Sequence, residues 1–112
     1  MAKLVPRFKI WLENENGEYI IGAGAARILE AIEETNSLKE ASKKLGISYK
    51  HAWSLIKRAE KAYEIRIVDT RRGGVEKGRT YITSEGRRLL RIFNELQKAV
   101  EETVEKKMEE LV

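Results

Sequence analysis

The chain has 112 residues, of which 42% are hydrophobic and none is cysteine. This length and apolar content suit one domain with a modest core, and the lack of cysteine excludes disulfides, thiolate metal sites and cysteine nucleophiles. Because there is neither an apolar run long enough to span a membrane nor a secretory signal pattern, we expect a cytoplasmic protein.

The first predicted element is a β-hairpin over residues 7–21. Residues 7–13 alternate imperfectly between apolar and polar side chains, and residues 18–21 form a second β-rich run. Asn16-Gly17 lies between the runs and is a turn signal. A first helix follows over residues 25–34, since four apolar residues recur there at helical spacing. These four are Ala25, Ile28, Leu29 and Ile32.

A helix-turn-helix is predicted over residues 37–63. Ser37 and Glu40 fit a capping box, so the second helix begins after Ser37. Gly46 ends that helix by adopting a left-handed conformation at low cost. Ser48 then caps the third helix. Two short helices joined by so tight a turn are typical of this motif.

The last two predicted elements are a wing and a long helix. A β-hairpin with a glycine-containing loop predicts the wing over residues 65–83. Thr83 or Ser84 caps the final helix, which covers residues 84–111 and carries one apolar stripe of nearly heptad spacing. We expect the stripe to form a homodimer interface; the alternative is that it folds back on the chain's own hairpin. The stripe consists of Leu89, Phe93, Leu96, Val100, Val104, Met108 and Leu111.

These elements predict a mostly α fold with small β-sheets (α+β). It is a winged helix-turn-helix in a single domain over residues 1–112, with an N-terminal β-hairpin and a long C-terminal dimerisation helix.

Positive charge is concentrated in the middle of the chain. Residues 39–91 hold fifteen Lys and Arg against six Asp and Glu, whereas the segments on either side are net acidic. This distribution is typical of a surface that binds a polyanion. The abundance of Lys, Arg and Glu is equally typical of a thermophile's solvated surface, so charge alone leaves both interpretations open.

The third helix divides into a basic and an apolar stripe when its residues are placed at about 100° intervals. The apolar stripe contains Ala52, Ile56, Ala59 and Tyr63, and the opposite stripe contains Lys50, Ser54, Lys57 and Lys61. Such a division suits a recognition helix, because the major groove of DNA admits one helix whose outer side meets phosphates and base edges.

We expect the start of the third helix to read bases and its later turns to bind phosphates. We expect Trp53 to have a structural role. For Tyr49 two roles remain open, a packing role at the edge of the core and a contact with a base. Ser48 caps the helix and can also touch phosphate. The expected base readers are Tyr49, Lys50, His51 and Ser54. The expected phosphate contacts on this helix are Lys57, Arg58 and Lys61. On the wing, phosphate or minor-groove contacts are expected from Arg71, Arg72, Lys77 and Arg79.

No pattern in the sequence supports catalysis. The glycines near residues 22–24 and 73–74 lack the spacing of nucleotide-binding loops. His51 is the only histidine, and one histidine makes neither a metal site nor a catalytic pair. We therefore expect no enzyme activity, no cofactor and no metal.

Six motifs of the helix-turn-helix and the wing form a recognisable set: Ser37, Ala41-Ser42, Leu45-Gly46-Ile47-Ser48-Tyr49, Ala52-Trp53, Arg71-x-Gly73-Gly74 and Ile82-Thr83-x-x-Gly86. With these motifs the chain resembles the N-terminal domain of the molybdate-responsive ModE regulators. This resemblance implies a winged-helix homodimer that binds palindromic operators. Ser42 departs from it, because that family has a second Ala there. Full regulators continue into molybdate-binding domains, so we expect no molybdate binding on a chain that stops at Val112. LysR-type regulators share a similar helix-turn-helix.

The sequence thus predicts a ModE-like transcriptional regulator that binds double-stranded DNA as a homodimer. The alternative is a protein-interaction or assembly module that keeps the fold without specific DNA binding. A third possibility is oxyanion binding at the basic surface.

Overall fold

The computed structural model describes residues 1–70 and 78–112. Four helices and two small antiparallel sheets occur in this part of the chain, which confirms the expected fold class. In chain order the elements are β1 (Leu12–Glu13), β2 (Tyr19–Ile21), α1 (Ala23–Thr35), α2 (Leu38–Leu45), α3 (Tyr49–Tyr63), β3 (Val68–Thr70), β4 (Thr80–Ile82) and α4 (Ser84–Leu111).

Helix α1 lies at the centre of the core and contacts all three other helices. It begins at Ala23, two residues earlier than predicted, and ends where Asn36 adopts a left-handed φ of 52°. Its apolar residues face inward because they recur at helical spacing. The buried residues of α1 are Ala25, Ala26, Ile28, Leu29, Ala31 and Ile32.

The predicted helix-turn-helix boundaries are confirmed. The Ser37 hydroxyl accepts a hydrogen bond from the Glu40 N–H at 3.1 Å and caps α2. Gly46 ends α2 with a left-handed φ of 68°. The Ser48 hydroxyl accepts from the His51 N–H at 3.0 Å and caps α3. Each cap satisfies a backbone N–H that has no partner inside its helix.

The N-terminal hairpin is shorter than the predicted residues 7–21. Strand β1 pairs with β2 through Leu12 opposite Ile21, and residues 1–11 have no regular secondary structure. The prediction was wrong there because β2 ends at Ile21 and α1 begins two residues later, so no neighbouring backbone remains to pair with residues 7–11. We call residues 1–11 the N-terminal arm.

The base of the wing is a short antiparallel pair. Strands β3 and β4 pair Val68 with Ile82, Asp69 with Tyr81 and Thr70 with Thr80. Of the four wing cations predicted to contact DNA, one lies in the described part of the chain and three lie outside it. The described one is Arg79; those outside are Arg71, Arg72 and Lys77.

Helix α4 belongs to the core only at its start. The Thr83 hydroxyl accepts from the Gly86 N–H at 2.9 Å and begins the helix, whose 28 residues span about 42 Å. Leu89 and Phe93 are 3% and 1% exposed in the single chain. Their prediction as dimer-interface residues was wrong, because side chains buried in the chain's own core have no surface to give a partner.

None of the described helices combines the length and the apolar character needed to cross a membrane.

Candidate nucleic-acid interface

Helix α3 presents one face to the core and the other to solvent. The buried face consists of Ala52, Ile56, Ala59 and Ala62. Seven residues predicted to contact DNA are exposed on the remaining surface of this helix: Tyr49, Lys50, His51, Ser54, Lys57, Arg58 and Lys61. The structure therefore brings the predicted α3 residues together on one element, in positions that a ligand can reach.

The first turns of α3 form a shallow depression. Its lining is Ser48, Lys50, His51 and Ser54. Helix N-termini favour phosphate, because their free N–H groups and the helix dipole both attract anions. Tyr49 beside the depression is 55% exposed, which places its ring at the surface rather than in the core.

One flank of α3 holds Lys57 between an aromatic ring and a carboxylate. The Lys57 ammonium lies 4.4 Å from the centroid of the Trp53 ring and 3.2 Å from Glu60 Oε1. Trp53 is half-buried and packs against the core, as the structural role expected for it requires. Lys57 therefore stays at the surface with its position restrained.

The opposite flank of α3 packs against the N-terminal hairpin. The Arg58 guanidinium lies 4.6 Å from the centroid of the Tyr19 ring, a cation–π distance. Nearby, the Asn14 amide donates to the Ala62 carbonyl at 3.0 Å. Arg58 is thus directed toward the hairpin, on the side of α3 away from Lys57. This contact was not predicted from the sequence.

The base of the wing is bonded to the body of the protein through both strands. The Thr80 N–H donates to the Asn36 carbonyl at 3.1 Å, which ties β4 to the turn between α1 and α2. Glu60 Oε2 accepts from the Ile67 N–H at 2.8 Å and from the Val68 N–H at 3.2 Å, which ties β3 to α3. Arg79, directly before β4, is exposed.

Some basic residues outside α3 form ion pairs with carboxylates. Arg87 pairs with Glu33 at 3.4 Å, and Arg91 pairs with Glu95 at 3.7 Å. Within residues 1–70 and 78–112, by contrast, no ion pair involves Lys50 or Lys61. A ligand that binds Lys50 or Lys61 therefore has no ion pair to break.

Glu60 is the residue that sequence reasoning missed. It is the only acidic residue between Tyr49 and Tyr63, and that isolation within a basic helix was a signal of a specific role. Its partners in β3 could not be foreseen, because these hydrogen bonds depend on how the chain returns past α3.

Comparisons with known proteins agree with the fold. Residues 24–87 match the bacterial regulatory helix-turn-helix proteins of the LysR family. The molybdenum transport protein ModE of Herbaspirillum seropedicae is 35% identical over 71 residues, which cover 63% of this chain and 26% of that protein. The molybdenum-pterin-binding protein MopA of Rhodobacter capsulatus is 30% identical over 80 residues, which cover 71% of this chain and 30% of that protein. The transcriptional regulator ModE of Haemophilus influenzae is 29% identical over 75 residues, covering 67% and 29%. The chain thus spans less than a third of the length of these relatives.

Solved structures share the fold. A crystal structure of the BenM DBD in a complex with benA site 1 DNA has a TM-score of 0.59 and 21% identity, and the match covers 80% of this chain and 98% of that one. A complex of the same DBD with catB site 1 DNA has a TM-score of 0.58 and 21% identity, and the match covers 80% and 93%. The ModE relatives confirm the resemblance seen in the helix-turn-helix. Since the family match covers more than half of the chain, this chain belongs to the bacterial regulatory helix-turn-helix proteins of the LysR family, with a ModE-like helix-turn-helix.

Proposed function

We propose that the chain is a transcriptional regulator that binds double-stranded DNA sequence-specifically, as a homodimer on a palindromic operator. The observation that carries this proposal is α3, which exposes a basic face while its other face is locked into the core. A helix held in this way can enter the major groove without changing shape. Because bacterial DNA lies in the cytoplasm, that is the proposed place of action.

Within this proposal the α3 residues have two kinds of task. Tyr49, Lys50, His51 and Ser54 lie at the start of the helix and contact base edges, which carry the sequence information. Lys57, Arg58, Lys61 and the Ser48 cap contact phosphates, which supply affinity for any sequence. The wing cations Arg71, Arg72, Lys77 and Arg79 contact the DNA backbone or the minor groove.

DNA fragments selected from genomic DNA, followed by fluorescence anisotropy over a salt series, test the proposal. If Lys57, Arg58 and Lys61 each neutralise one phosphate per subunit, these three residues alone give a dimer a log–log slope of about −5 in monovalent salt, and backbone contacts from the wing cations make it steeper. Lys61→Ala should reduce the magnitude of that slope. The control Lys106→Ala removes the same charge from the far part of α4 and should leave the slope unchanged. The proposal fails if the wild-type protein binds no DNA at low salt.

The homodimer is proposed to form through the outer part of α4. Beyond Phe93, the apolar stripe contains Leu96 and Leu111, which are 45% and 74% exposed, and three half-buried residues between them. These three are Val100, Val104 and Met108. A second copy of α4 would remove this stripe from water, which favours association.

The N-terminal arm extends the same apolar surface. Leu4, Phe8 and Trp11 are 72%, 42% and 47% exposed. The first residues of the arm line a hollow together with Met108 and Val112 at the end of α4. We therefore include the arm in the proposed dimer surface.

The charges of α4 favour an antiparallel pair of helices. Residues 84–98 hold four basic and two acidic residues, whereas residues 99–112 hold two basic and five acidic residues. In an antiparallel pair each basic half faces the partner's acidic half, while a parallel pair places like charges together.

Sedimentation equilibrium tests the dimer. Val100→Glu places a charge in the apolar stripe and should shift the protein to monomer, because burying an unpaired carboxylate is costly. Ala99→Glu adds the same charge to an exposed position outside the stripe and should leave the dimer intact. If the wild-type protein is monomeric at all concentrations, the proposed dimer is wrong.

The exposed arm and stripe also suit the alternative of a protein-interaction module. A pull-down from bacterial lysate with and without nuclease separates the two functions. Partners that survive nuclease, combined with no DNA affinity at low salt, would favour the alternative.

A further inference from the structure

The Glu60 carboxylate joins α3 to the first wing strand. Its Oε2 atom accepts hydrogen bonds from the N–H groups of Ile67 and Val68 at 2.8 and 3.2 Å. The Glu60 side chain is 12% exposed, and Ile67 and Val68 are 1% and 3% exposed. Buried N–H groups need partners, and this carboxylate supplies them at the point where the wing begins.

The second carboxylate oxygen holds a cation at the exposed surface of α3. Glu60 Oε1 lies 3.2 Å from the Lys57 ammonium, which also lies over the Trp53 ring. Lys57 remains half-exposed, with 51% of its side chain accessible. One side chain thus fixes two separate parts of the proposed interface.

The other strand of the wing does not depend on Glu60. The Thr80 N–H on β4 donates to the Asn36 carbonyl at 3.1 Å. Thr83, just beyond β4, donates its N–H to the Ile67 carbonyl at 3.0 Å. Loss of the Glu60 contacts would therefore loosen the start of β3, where Thr83 still holds the Ile67 carbonyl, while the bond from Thr80 to Asn36 keeps β4 in place.

We infer that Glu60 is a positioning residue for DNA binding. It sets the direction in which the wing leaves α3 and keeps Lys57 at the edge of the basic face, without itself touching DNA. This inference rests on the proposed function. An acidic residue beside phosphates weakens binding by charge alone, and the contacts of Glu60 with β3 and Lys57 offset that cost by positioning both.

Two substitutions separate position from charge. Glu60→Asp keeps the negative charge, but its side chain is one methylene shorter and cannot reach both N–H groups and Lys57. Glu60→Gln removes the charge and keeps an oxygen that can accept from Ile67 and Val68. Positioning predicts operator affinity about tenfold weaker for Glu60→Asp and within about threefold of wild type for Glu60→Gln. A role of charge alone predicts unchanged affinity for Glu60→Asp and tighter binding for Glu60→Gln.

Hydrogen exchange gives a readout that is independent of DNA. The Ile67 and Val68 amides should exchange faster in Glu60→Asp than in wild type, and Glu60→Gln should keep their protection. The exchange of Thr80 should be the same in all three proteins, because its partner is the Asn36 carbonyl.

A double-mutant cycle with Lys57→Ala completes the test. Glu60 holds Lys57 directly at 3.2 Å, so the contribution of Lys57 to affinity should be smaller in Glu60→Asp than in wild type. Additive losses, or unchanged affinity for Glu60→Asp, would overturn the inference. These outcomes differ from a failure of the proposed function, in which the wild-type protein itself binds no DNA.

Discussion

Gly86 on α4 packs directly against the backbone carbonyl of Ile67. A Cβ atom built on Gly86 would lie 2.2 Å from the Ile67 oxygen and 2.9 Å from Ile82 Cγ1. Backbone cannot move aside as the end of a long side chain can. The start of α4 and the base of the wing therefore meet without a gap, and only glycine allows this contact.

Gly86→Ala should lower the free energy of unfolding by about 3 kcal/mol, because the added methyl group forces α4 away from Ile67. Urea denaturation followed by circular dichroism measures this change. Gly24→Ala is the matched control, since Gly24 lies in a helix with nothing within 4 Å of its added Cβ. The control should gain about 0.5 kcal/mol from higher helix propensity. Equal effects of the two substitutions would contradict this explanation.

Ser48→Ala and Ser37→Ala remove equivalent helix caps, at 3.0 and 3.1 Å. Each should cost about 1 kcal/mol of stability. Only Ser48 lines the depression at the start of α3, so we expect Ser48→Ala alone to weaken DNA binding in an anisotropy titration. Similar losses of affinity from both substitutions would show that Ser48 acts solely through folding.

Lys50→Ala and Lys57→Ala should affect DNA binding in different ways. The first should relax the base preference at one operator position by about tenfold, measured with single-base operator variants. The second should weaken binding to all these variants alike and reduce the salt slope by about one per subunit. If Lys50→Ala weakens binding to all operator variants equally, Lys50 contacts phosphate and not a base.

Phe93→Ala and Leu96→Ala separate the core of α4 from its outer stripe. Phe93 is 1% exposed, so its truncation should cost about 3–5 kcal/mol of stability. Leu96 is 45% exposed, and its truncation should mainly weaken the dimer. Denaturation at two protein concentrations distinguishes these effects, because loss of dimer stability depends on concentration. If Leu96→Ala lowers the free energy of unfolding by the same amount at both concentrations, Leu96 stabilises the single chain and not the dimer.

Local signals allowed the helix-turn-helix to be predicted from the sequence. Ser37, Gly46 and Ser48 each act through a hydrogen bond or a backbone conformation within a few residues, and the helix boundaries follow from them. The apolar stripe of α4 was also visible as a periodicity. Periodicity does not reveal which part of a stripe the chain itself covers, so Leu89 was assigned to the dimer although it lies in the core.

Contacts between distant segments account for what the sequence did not reveal. The length of the hairpin depended on where β2 ended, and the alternation of residues 7–11 carries no information about that partner. The bonds of Glu60 to Ile67 and Val68, and the stacking of Arg58 on Tyr19, depend on tertiary packing. These contacts complete the candidate site around a helix whose position and polarity were predictable.

Because α4 is long, a small rotation at the contact between Gly86 and Ile67 produces a large displacement at the far end of the helix. A tilt of about 5° at this point would displace Leu111, about 38 Å away, by roughly 3 Å. In the proposed homodimer, the angle at which α4 leaves the core therefore sets the separation of the two α3 helices. Because Gly86 and Ile67 are close-packed, the angle of α4 and the separation of the two α3 helices can change little. The protein should therefore tolerate little variation in the number of base pairs between its half-sites.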